Sequence, residues 1–274
     1  MTATSQLPSS LLDESQVRQF QDDGYVVIRG LFSQPDVDRI REEFMTLQQG
    51  GPIPGHFDQK PDEPGAEPDP LRAFPRVIHP HQISELAREY LLDPRLAAAL
   101  RQLMGEEPLA SQSMFYYKPP GARGQALHQD NFYLRVEPGT CVAAWVAIDD
   151  IDTENGGLEV VPGTHQMDIF CPEESDPEVS FTRDFVPPPP GLSPVPLTMA
   201  PGDVLFFNGS VVHGSGPNKT TDRFRRSFIC HYVGESTQKI ARFYDVLRMD
   251  GKPLVLAENT GGGPCGDEID RGPH

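Results

Sequence analysis

The second half of this chain consists of short apolar runs separated by turn signals about every ten residues, and this pattern constrains the fold most. The runs lie at residues 113–117, 132–136, 141–148, 158–161, 204–207 and 228–233. Pro-Pro-Gly, Pro-Gly, Asn-Gly-Gly and Asn-Gly sequences separate them. Many short strands at this spacing predict a β-sandwich or a β-barrel.

The first 105 residues carry helical signals instead. A first helix is expected from residue 13 or 15 to residue 23, followed by a strand at 25–28. A second helix begins near Ser33, and its apolar residues recur at spacings of three and four. A third helical stretch covers about 83–104, with a break at Asp93-Pro94. The pattern predicts a mostly β protein with α-helices, in which the N-terminal helices pack on one sheet of a double-sheet core.

The chain is expected to form one domain over residues 13–250, with a helical part at about 13–105 and a β-core at about 109–235. Residues 1–12 and 251–274 are expected to be flexible tails. Two acidic, proline-rich segments stand out, 51–75 and the start of the irregular stretch 167–200. Segments this long without secondary structure are often functional loops, so both are expected to border a substrate site.

Charge and cysteine content exclude several classes of protein. The formal net charge of −17 argues against nucleic acid or an anionic membrane as a partner. The sequence has no run of 18 apolar residues, and its first 15 residues lack the pattern of a signal peptide. The four scattered cysteines predict free thiols in a reducing cytoplasm, rather than disulfides or a zinc site.

A histidine and a carboxylate open one of the expected strands. His128 and Asp130 are two residues apart, so in an extended chain their side chains share a face. His213 follows the run at 204–207, 85 residues after His128. Two histidines and one carboxylate on one side of a metal are typical of non-haem Fe(II) oxygenases, although zinc also binds such ligands. A histidine-x-aspartate pair is common, and His213 is equally consistent with a core histidine.

Arginines precede the last apolar run. Arg225, Ser227 and Ile229 share one face of the expected strand, whereas Arg226 and Phe228 share the other. An arginine on the inner face requires an anionic partner, and its planar fork suits a carboxylate. The alternative is that both arginines lie in solvent and pair with surface acids.

Four segments, in order, now indicate a family. They are FYYKPPGARGQALHQDNFYL, WVAIDDIDTENGGLEVVPGTH, PGDVLFFNGSVVHGSGPNKT and FRRSFICHY, preceded by DGYVVIRGLFS. The chain resembles the phytanoyl-CoA dioxygenase family of Fe(II)- and 2-oxoglutarate-dependent oxygenases from residue 13 to about 234. The resemblance implies a double-stranded β-helix, a jelly-roll or cupin-like core.

The resemblance also implies roles for individual residues. His128, Asp130 and His213 are similar to the family's iron ligands, and Arg225 to the residue that binds the distal carboxylate of 2-oxoglutarate. The twelve-residue interval from His213 to Arg225 is one longer than the family spacing, so Arg226 remains the alternative.

Further positions match the cosubstrate pocket of the family. Ser215 resembles a hydroxyl that supports the same carboxylate. Trp145 and Met114 match residues that line the cosubstrate, although both are also consistent with core residues. Either His79 or His81 is a candidate cosubstrate contact, and His165 is expected to be structural.

The implied reaction consumes 2-oxoglutarate and O2, releases succinate and CO2, and hydroxylates a C–H bond of a small molecule. Desaturation and ring formation use the same site. A halogenase needs a small residue where Asp130 stands. A non-catalytic binding module and a zinc hydrolase are further alternatives. The acidic segments 51–75 and 167–190 favour a cationic or neutral substrate over an acyl-CoA, and the protein is expected to be a monomer or a small homo-oligomer.

Overall fold

The computed structural model describes residues 11–62, 65, 68–261 and 265. Its helices lie mainly in the first 105 residues, as the sequence predicts. The helical elements are α1 (Glu14–Asp23), α2 (Gln34–Gln49), α3 (Pro70–Ala73), α4 (Glu85–Leu91), α5 (Pro94–Met104) and α6 (Asn131–Leu134), with 3-10 turns at Pro80–Gln82 and Thr164–Gln166. None of the helices in these ranges is both long and apolar enough to cross a bilayer.

Sixteen strands are found within the described residues, most of them after residue 105. They are β1 (Tyr25–Ile28), β2 (Val77–Ile78), β3 (Pro108–Tyr116), β4 (Gln125–His128), β5 (Val142–Ala147), β6 (Leu158–Val161), β7 (Glu173–Glu174), β8 (Asp184–Phe185), β9 (Val195–Pro196), β10 (Val204–Asn208), β11 (Val212–Ser215), β12 (Ser227–Gly234), β13 (Lys239–Ile240), β14 (Val246–Arg248), β15 (Pro253–Leu254) and β16 (Ala257–Glu258).

Two sheets of unequal size form the core. The larger has the order β1-β10-β5-β12-β3-β14-β15 with β2 beside β3, and the smaller has the order β4-β11-β6-β9. Both are antiparallel throughout. Strands adjacent in a sheet are often distant in sequence, so residues from separate motifs meet. The prediction of a mostly β protein with a double-sheet core is confirmed.

Strand β5 shows that the larger sheet is buried on both faces. Ala144 and Val146 belong to an apolar cluster with Phe44 of α2, whereas Trp145 packs between the two sheets with Val160 of β6. Successive side chains of a strand point to opposite faces, so continuous burial along β5 requires a layer on each side. The helices therefore cover one face of the larger sheet, and the smaller sheet covers the other.

The helix boundaries follow capping signals in the sequence. Asp13 and Ser33 form capping boxes at α1 and α2, and Asp93 caps α5 after the predicted break. Gly24 ends α1 in the left-handed conformation with φ 83°, which glycine adopts at low cost. A Cβ there would lie 2.5 Å from both His165 and Val211, so the residue also allows a close approach.

The prediction of a strand at residues 132–136 is wrong, because this segment contains the short helix α6. The Asp130 carbonyl accepts hydrogen bonds from the backbone N–H groups of Tyr133 and Leu134, at 2.9 and 3.1 Å. Arg135, with φ 50°, ends the helix. The aromatic and apolar composition of the segment indicated burial correctly, but burial does not distinguish a strand from one helical turn.

The prediction that all four cysteines are free thiols is also wrong. Cys171 and Cys265 form a disulfide with a Cα–Cα distance of 5.4 Å, whereas Cys141 and Cys230 are free and buried. The two paired residues are 94 positions apart, and sequence spacing carries no information about such proximity. Residues 1–10 of the expected N-terminal tail, and most of 262–274, lie outside the described residues. Strands β15 and β16 occupy part of the expected C-terminal tail.

Candidate metal centre

Antiparallel pairing brings together the two histidines that are far apart in sequence. His128 ends β4, His213 lies in β11, and the two residues are direct partners in the register of the smaller sheet. Asp130 follows β4 and precedes α6. The turn into α6 therefore directs the carboxylate back toward the two imidazoles.

The three side chains form a compact, buried cluster. Asp130 Oδ1 lies 3.4 Å from His128 Nε2 and 3.6 Å from His213 Nε2. One potential ligand atom from each residue lies within 4.8 Å of the other two. All three residues are buried, and Asp130 has no exposed surface. The structure thus brings together the three residues that the sequence analysis singled out.

Backbone carbonyls fix the orientation of both imidazoles. His128 Nδ1 lies 2.8 Å from the Ala126 carbonyl oxygen, and His213 Nδ1 lies 3.0 Å from the Val211 carbonyl oxygen. A carbonyl oxygen only accepts, so each Nδ1 carries the proton and each Nε2 presents its lone pair to the cluster. This is the tautomer that binds a metal through Nε2.

The electrostatics of the cluster fit a divalent cation. Burial lowers the pKa of His213 to about 4, and the nearby carboxylate of Asp130 only partly opposes this effect. The imidazole is therefore neutral near pH 7. Two imidazoles and a carboxylate, with their lone pairs converging, match the ligand set of a non-haem Fe(II) site.

His231 is a member of this centre that the sequence analysis missed. Its Nε2 lies 2.9 Å from Asp130 Oδ2, the oxygen other than the one near the histidine pair. His231 lies in β12 and is completely buried. The signal was present, because the alternation that places Arg225, Ser227 and Ile229 on one face continues to His231.

Arg225 faces a small cavity beside the three-residue cluster. This cavity is also lined by Trp145, Ser215, His128 and His213. The guanidinium donates from Nε to the Gly156 carbonyl at 3.0 Å and from Nη1 to Ser227 Oγ at 3.1 Å. Arg225 is 3% exposed and forms no ion pair with any described residue. Burial lowers its pKa to about 10, so it remains charged and requires an anionic ligand.

The structure separates Arg225 from Arg226. The Arg226 guanidinium donates two hydrogen bonds to the Asp149 carboxylate, at 2.8 and 2.9 Å, and packs over the ring of Phe224. Its charge is therefore already neutralised. Of the two neighbours, only Arg225 lines the cavity beside the histidines.

The remaining candidate residues lie at different distances from the cavity. Met114 is buried among the residues between the sheets and pairs with Ile229 in the register, but it does not line the cavity. His79 and His81 are buried at the Pro80–Gln82 turn, and neither lines it. His165 Nε2 lies 3.1 Å from the Gln21 carbonyl, so it ties a turn to α1.

Lys118 is a second buried cation that the sequence analysis missed. Its Nζ donates to Ser215 Oγ at 2.8 Å, to the Gly216 carbonyl at 2.5 Å and to the Gly156 carbonyl at 3.2 Å. Burial, and then the charge of Arg225, place the pKa of Lys118 well below its usual value. The FYYKPPG motif contained this lysine, but a lysine next to prolines usually indicates an exposed turn.

A larger cleft of about 640 Å³ lies on the other side of Arg225 and Tyr116, between the predicted functional loops. Its charged lining is mostly basic, which reverses the expectation drawn from the acidic loops. Among the described residues, the carboxylates of the lining are Asp58 and Asp69, and the basic side chains are Lys60, Arg72, Arg76, Lys118, Arg123 and Arg225. Most of the described acids of these loops therefore do not line the cleft.

A jelly roll that brings two histidines, one aspartate and a buried arginine together belongs to the class of Fe(II)- and 2-oxoglutarate-dependent oxygenases. A model of the phytanoyl-CoA dioxygenase family matches residues 20–227, and the chain belongs to this family. It is 30% identical over 247 residues to the peroxisomal phytanoyl-CoA dioxygenase of Mus musculus, covering 85% of this chain and 72% of the relative.

Solved structures share the fold. The apoform of EctD from S. alaskensis is 25% identical, with a TM-score of 0.64, covering 85% of this chain and 81% of that one. The epimerase SnoN, in complex with Fe3+, alpha ketoglutarate and nogalamycin RO, is 22% identical, with a TM-score of 0.62, covering 88% and 95%. The predicted fold is confirmed. The protein is an oxidoreductase of the dioxygenase type, and Fe(II), 2-oxoglutarate and O2 are its cofactor and cosubstrates.

Proposed function

We propose that this enzyme hydroxylates an unactivated C–H bond of a small molecule and releases succinate and CO2. One observation carries the proposal: His128, Asp130 and His213 present three ligand atoms, from one side, within 4.8 Å of one another. The backbone carbonyls of Ala126 and Val211 hold both imidazoles in the metal-binding tautomer. We assign the iron to these three residues.

The chain's own residues bind and orient the cosubstrate, and they exclude water from the cavity. Fe(II), together with 2-oxoglutarate and O2, supplies the oxidising chemistry. Arg225 and Ser215 bind the distal carboxylate of the cosubstrate, and the Trp145 ring lies 5.4 Å from the Arg225 guanidinium. Apolar residues that line the same cavity, Leu158, Phe207 and Ile229, keep bulk water away. Met114 supports this pocket from between the sheets.

The intact carboxylate favours hydroxylation over halogenation. Asp130 lies within 3.6 Å of both histidine Nε2 atoms, where a halogenase needs room for halide. The buried Arg225, which has no ion pair among the described residues, favours a working cosubstrate site over a non-catalytic module or a zinc hydrolase. Desaturation and cyclisation share these residues, and the test below separates them by the fate of oxygen.

The test measures 2-oxoglutarate turnover under 18O2. The expected result is Fe(II)-dependent succinate, with one labelled oxygen atom in succinate and one in the product alcohol. A desaturase or cyclase would label succinate only. His128→Ala is expected to lose both metal binding and turnover, whereas the exposed Lys252→Met serves as the matched control. Metal binding that survives in His128→Ala would contradict the ligand assignment.

We also propose that the substrate carries a negatively charged group. The described residues that line the cleft include six basic side chains and two carboxylates. Lys60 pairs with Asp58 and Arg123 with Asp69, whereas Arg76 forms no ion pair with any described residue and donates only to Tyr116 Oη at 3.3 Å. An anionic group entering the cleft gains a charged partner at Arg76. An acyl-CoA ester, the substrate type in the relatives' name, is one such anion.

A substrate screen tests this charge preference. Acyl-CoA esters, carboxylates, phosphate esters, amines and neutral molecules are compared by succinate formation. Arg76→Gln is expected to lower kcat/KM for the best anionic substrate about 10-fold, with the exposed Arg39→Gln as control. A preference for amines or neutral molecules would contradict the proposal.

The remaining expectations from sequence become part of the proposal. These are one domain over residues 13–250, a monomer or small homo-oligomer, a cytoplasmic location and no nucleic-acid or membrane partner. Light scattering with the purified chain, and fractionation of producing cells, test the last three.

A further inference from the structure

Lys118 lies two residues beyond the end of β3 and is only 3% exposed. An ammonium group has three hydrogens, and three acceptors surround it: the Ser215 hydroxyl oxygen and the carbonyls of Gly156 and Gly216. The backbone carbonyl of Lys118 accepts a hydrogen bond from the Arg225 N–H at 3.1 Å, so the two cations are anchored to each other.

Lys118 and Arg225 form a buried pair of basic side chains, and an anion bound beside them would favour the charged form of Lys118, whose pKa burial and Arg225 lower. Both donate to the same Gly156 carbonyl, at 3.2 and 3.0 Å. Neither side chain forms an ion pair with any carboxylate in the described part of the chain. Two adjacent cations in a dry environment are costly unless an anion neutralises them. The cavity that Arg225 and Ser215 line is therefore prepared for a negative group.

The hydrogen bond from Lys118 decides what Ser215 offers to that cavity. Ser215 Oγ accepts a hydrogen from the ammonium, so the hydroxyl keeps its own hydrogen for another partner. Ser215 lines the cavity together with Arg225. A serine held in this way donates toward the cavity, which suits a carboxylate oxygen.

The turn at Gly156 makes this arrangement possible. A Cβ at Gly156, whose φ is 78°, would lie 2.6 Å from the Gly216 carbonyl oxygen and 3.0 Å from Lys118 Cε. Only glycine lets this carbonyl approach both cations.

We propose that Lys118 is a positioning residue for the distal carboxylate of 2-oxoglutarate: it holds Ser215 as a hydrogen-bond donor and adds its charge to that of Arg225. Lys118 acts through its hydrogen bond to Ser215 and through the electrostatic field of its ammonium group. The inference rests on the proposed function, because it assumes that Arg225 binds that carboxylate.

A purely structural role makes a different prediction. If Lys118 only ties the turns at Gly156 and Gly216 together, its loss disturbs the whole pocket. Binding of every 2-oxo acid then weakens equally. If Lys118 serves the distal carboxylate, only ligands that have that carboxylate are affected.

The experiment uses Trp145, the chain's single tryptophan, which lines the cavity, as a fluorescent reporter of binding. The Mn2+-loaded protein, kept anaerobic so that no turnover occurs, is titrated with 2-oxoglutarate and with 2-oxopentanoate. The second ligand has the same keto-acid end but a methyl group in place of the distal carboxylate. Lys118→Met, Ser215→Ala and the double variant are compared, with the exposed Lys252→Met as control.

Lys118→Met is expected to raise the Kd of 2-oxoglutarate about 10-fold or more and to leave that of 2-oxopentanoate unchanged. In the double variant, the factor by which the Kd of 2-oxoglutarate rises is expected to be smaller than the product of the factors in the two single variants. This is because both substitutions remove the same hydrogen bond. Lys118→Gln gives the same comparison if the Met variant does not fold. An equal rise in the Kd of both ligands, or no rise in the Kd of 2-oxoglutarate, would overturn the inference. A wild-type protein that binds no 2-oxoglutarate would instead overturn the proposed function.

Discussion

His231 Nε2 lies 2.9 Å from Asp130 Oδ2, and both side chains are completely buried. Asp130 uses its other oxygen toward the two histidines of the cluster. A carboxylate cannot donate when ionised, so His231 supplies the hydrogen of this bond. His231 thereby fixes the rotation of the carboxylate at the metal centre from the opposite sheet.

Removing His231 should weaken metal binding without removing a ligand. Outer partners of this kind typically account for 10–100-fold in metal affinity, and His231→Phe is expected to lose about that much. Equilibrium titration with Fe(II) or Co(II) measures the change. His165→Phe, which loses the contact to the Gln21 carbonyl and lies outside the metal centre, is the matched control. Equal affinities in wild type and His231→Phe would show that Asp130 needs no such partner.

The two neighbouring arginines should separate binding from stability. Arg225→Gln is expected to raise the Kd of 2-oxoglutarate about 100-fold, because a charged pair of hydrogen bonds is lost. Arg226→Gln breaks the bonds to Asp149 and should lower the free energy of unfolding by about 1–3 kcal/mol, with little change in that Kd. Tryptophan fluorescence and urea unfolding measure the two effects. If Arg226→Gln raised the Kd and Arg225→Gln did not, Arg226 would be the residue that binds the cosubstrate.

Stability should fall when the pH drops below about 6.5. Burial lowers the pKa of His79 from 6.5 to about 4, with a further contribution from His56 and opposition from Asp245. The unfolded chain therefore binds a proton in this window that the folded chain does not. The contribution of neutral His79 to the free energy of unfolding is fully present above pH 6.5 and is lost as the pH falls toward 4. The change is on the order of 3 kcal/mol.

His79→Asn isolates this contribution. Asparagine does not titrate and is tolerated at the left-handed backbone conformation of this residue, where φ is 50°. The free energy of unfolding is measured between pH 7 and pH 4.5 in both proteins. The variant should show the shallower decline, with a remainder from His81 and His213, whose pKa values burial lowers to about 3 and about 4. Parallel declines would mean that His79 titrates normally.

Thiol counting checks the disulfide. Cys141 and Cys230 are buried and free, and Cys171 is bonded to Cys265. Unreduced protein in denaturant is therefore expected to show two reactive thiols, and reduced protein four. The native protein should react slowly at both free cysteines, because burial raises the pKa of each thiol. Four thiols without reductant would place all the cysteines in the reduced state.

Local patterns in the sequence were enough for most of the longer elements and for their arrangement in layers. Capping residues at Asp13 and Ser33 and the break at Asp93-Pro94 marked helix boundaries, and the apolar runs between turn signals marked the longer strands. These signals are local because hydrogen bonding within a turn and side-chain direction along a strand depend on adjacent residues. The segment 132–136 failed for the same reason: its composition reports burial, and the capping of α6 by the Asp130 carbonyl does not show in it.

The sequence by itself determined the kinds of residue at the centre: two histidines, an aspartate and an arginine in family motifs. Only the tertiary structure decided which atoms meet. The register of β4 with β11 brings His213 to His128, and β12 brings His231 to Asp130 and places Arg225 rather than Arg226 at the cavity. It also buried Lys118 and left only Asp58 and Asp69, among the described acids of the loops, at the lining of the cleft. Charge and spacing along a chain do not report direction in space, because that depends on strands paired across long separations.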